Sequence, residues 1–278
     1  MPAFSGRTVL ITGAASGIGL ACALELARRG ARLGLVDIDV DNLAAAAAAT
    51  RALGAETHTF VVDLARPDAI ATLARDAPAQ LGAIDVLFSN AGVAVVKPLA
   101  TTSDDDWRWI FDVNVWAPIR LVRALLPAMM ARGRGHVVLT ASLAGLVGAP
   151  GMVAYSTTKF ALVGFAESLR HELGESGVAV TIVCPGHVKT NLHRATRYDN
   201  AGFQRLLDAP PWWYGLSSER AARRIVDGIA ARRPLVVMGA EQLGWWLKRL
   251  WPAGGLAVTR FVARRHGVLA AETPCTSR

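Results

Sequence analysis

The sequence predicts an α/β fold: one doubly wound parallel sheet with helices on both faces. Three observations predict it. Short β-branched runs alternate with long Ala/Leu/Arg-rich stretches through most of the chain. The first strand, TVLIT at 8–12, shows little inside/outside alternation, as a strand buried on both sides does. A glycine-rich turn, TGAASGIG at 12–19, then joins that strand to the first helical run.

The elements follow in order. Residues 8–12 form a strand, and 17–29 form a helix that Gly30 closes. A strand at 32–36 leads to a helix at 40–53 that contains the alanine run 44–49, and then to a strand at 56–62. Residues 67–80 read as helix, 85–89 as strand, and 103–132 as one long helix with Ser103 at its N-cap. Asp104, Asp105 and Asp106 then sit at the N-terminal end of the helix dipole. A strand at 136–140, a helix at 155–175 and a strand at 179–184 complete the alternation, followed by a helix at 217–232 and a strand at 235–238. Nothing calls for a second domain or a repeat. Residues 1–278 read as one domain: a core at about 5–240, a variable loop at 191–215 and a C-terminal helical extension at 241–278.

Composition narrows the possibilities. The chain is 52% hydrophobic and 19% charged, which excludes a disordered protein. Three scattered cysteines (Cys22, Cys184 and Cys275) exclude a disulfide scaffold and fit a reducing, cytoplasmic setting. The uncharged stretch 135–158 carries several glycines and Pro150, so it is a poor membrane span. The apolar N-terminus reads as a first strand rather than a secretory signal. The histidines (His58, His136, His171, His187, His193 and His266) show no metal-binding spacing, so no metal is expected. His187 and His193 flank the expected mouth of the site. Charge is uneven. Residues 1–190 are neutral overall, whereas 191–278 hold 14 basic and 6 acidic side chains and carry the whole net charge of +8.

The glycine-rich turn points to a Rossmann-type dinucleotide site. Gly13, Gly17 and Gly19 let the backbone turn sharply and approach a pyrophosphate, which rests on unpaired N–H groups at the helix start, with Ser16 and Ile18 alongside. Asp37 ends the second strand, 18 residues beyond Gly19. A carboxylate there accepts both adenosine ribose hydroxyls. It also repels a 2′-phosphate, by roughly 4 kcal/mol per unit-charge pair at ~4 Å and an effective dielectric near ~20. Neither Ser16 nor Ile38 supplies a compensating cation, so the expectation is NAD rather than NADP. Asp39 and Asp41 read as solvated turn acids.

Tyr155 and Lys159 stand four residues apart on one helix face, and Ser142 lies thirteen positions before Tyr155. A phenol titrates near ~10, and an adjacent cation lowers such a value by ~1–3 units. The expectation is a tyrosine made acidic enough for general acid–base work.

This conjunction resembles the short-chain dehydrogenase/reductase family, in the branch that pairs TGxxxGxG with YxxxK, over roughly residues 5–190. By that resemblance Asp63 and the adjoining Leu64 contact adenine. Ser89-Asn90-Ala91-Gly92 is similar to the family's NNAG turn, with Ser89 in place of the first Asn. Asn114 matches the catalytic asparagine, although Ala117 replaces a commoner glycine. Ser142, in Thr140-Ala141-Ser142, keeps the catalytic hydroxyl without the usual paired serines. Pro185, Gly186, Val188 and Thr190 fit PGxVxT, which holds the nicotinamide carboxamide. The resemblance implies hydride transfer between nicotinamide and a carbinol carbon. Tyr155 is the implied acid/base, Lys159 lowers its pKa and binds the nicotinamide ribose, Ser142 orients the substrate oxygen, and Asn114 supports a water path. It also implies a homodimer or homotetramer built through the helices at 103–132 and 155–175.

The last third gives the substrate expectation. Tyr198, Phe203, Trp212, Trp213 and Tyr214 crowd the loop around Pro210 and Pro211 and suit an apolar pocket or plain packing. Leu243, Trp246, Leu247 and Leu250 share a helical face beside Lys248 and Arg249. Such a helix packs across a subunit boundary or caps the substrate pocket, with peripheral membrane contact through 241–265 as the less favoured alternative. The reading is an NAD(H)-dependent alcohol dehydrogenase or carbonyl reductase acting on a hydrophobic secondary alcohol or ketone. Its rivals are a catalytically silent nucleotide-binding interaction protein and a membrane-surface lipid- or steroid-type oxidoreductase. A basic pI without a recognition motif does not point to nucleic acid.

Overall fold

All five residues of β1 (Thr8–Thr12) are buried, and their side chains feed two different layers. Val9 and Ile11 pack with Leu33 and Leu35 beneath α1 (Gly17–Arg28) and α2 (Val40–Ala52). Leu10 points the other way, into a core shared with Leu87, Leu121 and Leu162. That division is what a strand covered on both faces requires. The computed structural model describes residues 3–149, 151–190, 192, 195–198, 215–239, 242–254 and 257.

The first half continues with β2 (Arg32–Asp37), β3 (Thr57–Val61), α3 (Pro67–Leu81), β4 (Val86–Ser89) and β5 (Ala94–Val96). Next come α4 (Asp104–Phe111), α5 (Ala117–Ala131), β6 (Gly135–Thr140), α6 (Val153–Leu173) and β7 (Val178–Pro185). The last described elements are β8 (Val188–Lys189), β9 (Thr196–Tyr198), β10 (Leu216–Ser217), α7 (Ser218–Ala230), β11 (Leu235–Met238) and α8 (Gln242–Leu250). Seven strands form one parallel sheet in the order β11-β7-β6-β4-β1-β2-β3. The chain runs outward from β1 to β3 and then restarts at β4 on the other side of β1. The crevice beyond the C-terminal ends of β1 and β4 is therefore the switch point where such sheets take ligands.

Local chemistry explains most boundaries. Gly30, at φ +83°, lets the N–H of Gly30 and Ala31 close α1 onto Ala27 and Leu26. Asp39 is a solvated acid as expected and also caps α2, its carboxylate accepting the Asn42 N–H at 3.0 Å. Asp41 lies in the first turn of that helix. Pro67 opens α3, where its missing N–H costs nothing. Ser103 and Asp106 form a reciprocal capping box on α4, as the N-cap reading anticipates.

Two corrections concern the region between β4 and β6 and the strand β9 that joins it. The helix expected over 103–132 is two helices joined by a π-helical turn, Asp112–Trp116. The side chain of Asn114 bonds across to Val93 and Thr158, and the turn widens where it does so. The strands β5 and β9 form a separate parallel pair that the sequence reading lacks. Their runs are only three residues long.

Candidate active site

The turn after β1 is a cradle made of backbone. Gly13 (φ +66°) and Gly17 (φ +55°) hold conformations that side chains disfavour. A Cβ on Gly13 would stand 2.8 Å from the Ala91 Cα, and one on Gly19 would collide with the Gly13 carbonyl. Ser16 caps α1 without a side-chain hydrogen bond and is exposed, so its hydroxyl is free to meet a ligand at the N-terminus of the helix. Asp37 reaches the same turn. One carboxylate oxygen accepts the Ala15 N–H at 2.9 Å, and the other accepts those of Ile38 and Asp39. Ile18 is partly buried against the core.

The Asn90-Ala91-Gly92 turn is bolted to this cradle. The Thr12 hydroxyl accepts the N–H groups of both Asn90 and Ala91 at 3.0 Å. The Asn90 amide donates to the carbonyls of Thr12 and Gly13, and its oxygen accepts the Thr140 hydroxyl. Asn90 thus spends its side chain on the protein and fixes the distance between two loops. Asp63 accepts the Ala65 N–H at 2.9 Å, whereas the Leu64 side chain is buried in the core, leaving only its backbone to meet a ligand.

The reactive groups lie beyond the ends of β4, β6 and β7. Ser142 follows β6. Its hydroxyl accepts the Ala144 N–H at 3.1 Å, donates to the Pro185 carbonyl at 3.4 Å and bonds the Tyr155 phenol. Lys159 is buried one turn along α6 from Tyr155 and donates to the Thr140 carbonyl at 2.9 Å. Its Nζ lies 5.6 Å from the Tyr155 ring centroid. Burial lowers the ammonium pKa to about 8. The same burial raises the Tyr155 phenol above its ordinary value, against a smaller lowering by Ser142. The expected acidification of Tyr155 is therefore reversed in the free chain, where desolvation outweighs a lysine turned toward Thr140. Gly92 admits both partners: a Cβ there would come within 3.3 Å of Asn114 Oδ1 and of Lys159 Nζ.

Asn114 is fully buried. Its amide closes a two-way bridge with Val93 at 2.9 Å in each direction and also donates to Thr158. Across the crevice, the Gly186 N–H donates to the Met238 carbonyl at 2.7 Å, Val188 is buried, and Thr190 packs on Gly17. One crevice thus holds a glycine cradle, an acid at its far edge, and a buried phenol and ammonium beside a half-buried hydroxyl.

The family model for short chain dehydrogenase matches residues 7–201. This chain belongs to the short-chain dehydrogenase/reductase family. It is 41% identical over 262 residues to estradiol 17-beta-dehydrogenase 11 of Homo sapiens, covering 92% of this chain and 83% of that one. A short-chain dehydrogenase/reductase from Burkholderia phymatum, solved in complex with NAD, superposes with a TM-score of 0.79 at 30% identity, covering 100% of this chain and 99% of that one. A short-chain dehydrogenase from Sphingobium yanoikuyae, solved with NADPH, gives 0.74 at 26% identity, with 98% of each chain covered.

This family member also holds residues that the sequence reading passed over. Thr12 and Thr140 tie the loops, and Gly145 lets the Ser142 turn sit on α6, since a Cβ there would meet the Lys159 carbonyl oxygen at 2.6 Å. Beside the cluster that contains Tyr155, buried Asp106 accepts from Lys97 at 2.7 Å and from Arg197 at 3.0 Å. Burial acts to raise its pKa, but these cations and Ser103 hold it well below the usual carboxylate range. The Arg197 guanidinium also lies 4.0 Å from the Trp109 ring centroid. These contacts anchor β9, and with it Tyr198, beside the cluster that contains Tyr155. Only the fold brings 97, 106 and 197 together, so no sequence spacing marks them. Among the described residues no group of His, Cys, Asp and Glu could hold a metal, and no helix is long and apolar enough to cross a membrane. His193, Phe203, Trp212, Trp213 and Tyr214 lie outside the described residues.

Proposed function

We propose that this dehydrogenase interconverts a hydrophobic secondary alcohol and its ketone with a nicotinamide cofactor, NAD in preference to NADP. The observation that carries the reading is the buried Tyr155 and Lys159 beside half-buried Ser142, a set that shares a crevice with a turn that has no room for a Cβ at Gly13 or Gly19. That turn fits a pyrophosphate: the backbone is bare, and exposed Ser16 stands at the N-terminus of α1. Gly13, Ser16, Gly17, Ile18 and Gly19 would hold the phosphates, Asp37 the adenosine ribose, and Asp63 and the Leu64 backbone the adenine. Asn90, Ala91, Gly92, Pro185, Gly186, Val188 and Thr190 would frame the nicotinamide side.

When bound, the cofactor supplies the redox chemistry by exchanging a hydride with the carbinol carbon. The chain's own residues handle the proton. Tyr155 takes the substrate hydroxyl proton during oxidation and returns it during reduction, while Ser142 holds the substrate oxygen against the phenol. Lys159, buried and tied to Thr140, places a cation 5.6 Å from the Tyr155 ring centroid that favours the phenolate against the burial that opposes it. Asn114 spends its amide on Val93 and Thr158, and so acts by fixing the Gly92–Val93 turn near Lys159.

Asp37 supports NAD, because its carboxylate faces the cradle where a 2′-phosphate would otherwise lie. The relatives' names allow either cofactor, and the estradiol dehydrogenase name supports an apolar secondary alcohol. Exposed Trp116, Met130, Val153 and Phe160 on the helices from Asp112 to Leu173 support a homo-oligomer. The test is a panel of lipophilic secondary alcohols and ketones offered with NAD(H) and NADP(H), followed by nicotinamide absorbance. Turnover with NAD(H) on apolar members is the expected result. Absence of turnover across the panel with both cofactors would leave a silent nucleotide-binding protein.

A further inference from the structure

We propose that Lys248 is a positioning residue for the reaction: from α8 it holds the turn that carries Ser142. For its use in catalysis this inference rests on the function proposed above. Ser142 opens a short 3₁₀ turn, Leu143–Gly145, inside a stretch, 135–158, that contains no charged side chain. The turn's own hydrogen bonds are local. The Gly145 N–H donates to the Ser142 carbonyl at 2.9 Å, and the N–H groups of Leu146 and Val147 donate to the Leu143 carbonyl at 2.9 and 2.8 Å. Leu146 is the C-cap of this turn, a place where carbonyls find no partner in the helix itself. Lys248 Nζ donates to the Leu146 carbonyl at 2.8 Å, across 102 residues of chain. Because the donor is a cation, this is a charge-assisted bond.

The same ammonium reaches the segment that carries Tyr155 and Lys159. Its Nζ lies 5.0 Å from the ring centroid of Phe160, the residue after Lys159 on α6. The turn also rests on α6 through Gly145, where a Cβ would meet the Lys159 carbonyl oxygen at 2.6 Å. Two helices thus grip it, α6 through Gly145 and α8 through Lys248. The Ser142 hydroxyl holds less firmly, since it reaches the Pro185 carbonyl at 3.4 Å, near the limit of a hydrogen bond. Burial along α8 agrees. Gly244, Trp245, Leu247 and Lys248 are half-buried, whereas Leu243, Trp246, Arg249 and Leu250 are exposed, so the helix turns its lysine side to the protein. Arg249 stays by its own helix, 5.9 Å from the Trp245 ring centroid. Proton transfer between a substrate oxygen and the Tyr155 phenol is sensitive to displacements of about 1 Å. A reacting group on a loop is only as exact as the residues that fix the loop.

The experiment compares full-length Lys248→Met and Lys248→Arg with wild type, by hydrogen exchange over 143–149 and by turnover of an apolar secondary alcohol with NAD. Methionine keeps an apolar stem but neither donor nor charge. Arginine keeps both, and a single carbonyl acceptor asks for one donor only. In Lys248→Met, exchange at the amides of Gly145, Leu146 and Val147 is expected to speed up by at least about tenfold. In the same variant kcat is expected to fall by about 5–50-fold, with KM for NAD within about twofold of wild type. Lys248→Arg is expected to bring both readings back to within about threefold of wild type. A lysine that merely pins α8 would loosen 242–254 alone, so unchanged exchange over 143–149 in Lys248→Met would overturn the proposal. So would a faster-exchanging turn with undiminished kcat, or a defect that arginine fails to rescue. Absence of wild-type turnover on any alcohol would sink the activity proposed above. The exchange comparison would then decide alone, faster exchange in Lys248→Met supporting the grip on the turn and unchanged exchange overturning it.

Discussion

Two regions flank Tyr155, and they are held in place by different physics. The cradle after β1 is a backbone device: glycines at 13, 17 and 19, a Thr12 hydroxyl accepting two N–H groups, and an Asp37 carboxylate accepting three. The shelf formed by β5 and β9 relies instead on buried charge, with Asp106 gripped by Lys97 and Arg197. Backbone cradles recognise a constant ligand part, a pyrophosphate, and tolerate no added atoms. A shelf fixed by side-chain ions can change partners while the sheet beneath it stays intact. The comparison predicts that damage to the cradle is read in cofactor affinity, and damage to the shelf in stability and substrate KM.

Substitution at the cradle should do the most. Gly19→Ala forces a methyl onto the Gly13 carbonyl, an overpacking of about 1–3 kcal/mol, so NAD affinity should fall by up to about 100-fold in a calorimetric titration. Affinity within about twofold of wild type would mean that the turn is not the phosphate site. On the shelf, Asp106→Asn leaves Lys97 and Arg197 without their carboxylate at a site where Asp106 is only 2% exposed. Urea unfolding should lose about 3 kcal/mol, while cofactor affinity stays near wild type. Arg197→Met should cost no more than about 1 kcal/mol, since that side chain is 43% exposed, but it should raise KM for substrate with kcat nearly unchanged.

The pH dependence of stability involves a third place, away from both regions. His136 is buried on β6 and bonds Thr181 at 2.8 Å; burial, then Arg232 and Arg7, lower its pKa to about 4. The unfolded chain binds the proton near ~6.5 and the native one only near 4, so stability should fall by up to about 3 kcal/mol as pH drops through that window. His136→Gln should flatten that slope in unfolding curves taken at pH 7, 5.5 and 4.5. Cofactor choice gives a further test of the cradle. Asp37→Ala should raise the NADP/NAD ratio of kcat/KM by at least about tenfold, and an unchanged ratio would remove Asp37 from cofactor selection.

The two regions were also unequally legible in the sequence. The cradle could be read because its signal is local: a strand, then TGAASGIG, then a helix, and an acid at the end of the next strand. Tyr155 and Lys159 were legible because one helical turn separates them. The shelf was not. Asp106 reads as one of three acids at a helix start, and only the parallel pairing of β5 with β9 brings Arg197 to it across 91 residues of chain. The π turn at Asp112–Trp116 was hidden for a similar reason, because the bridge from Asn114 to Val93 and Thr158 that accompanies it is tertiary. The direction of the Tyr155 shift was missed because spacing reveals a neighbouring cation but not the depth of burial. For α8 the expectation that Leu243, Trp246, Leu247 and Leu250 pack against a partner surface is not met within the described residues, since Leu243 and Leu250 face water while Lys248 finds the Leu146 carbonyl, a contact no spacing reveals.

The most direct measurement pairs NAD titration with turnover in Tyr155→Phe. The phenol hydroxyl bonds Ser142 and lies outside the cradle, so NAD affinity should stay within about twofold of wild type, while kcat on an apolar secondary alcohol should fall by about 10²–10⁴-fold. Turnover within tenfold of wild type, with NAD still bound, would contradict the assignment of the proton to Tyr155.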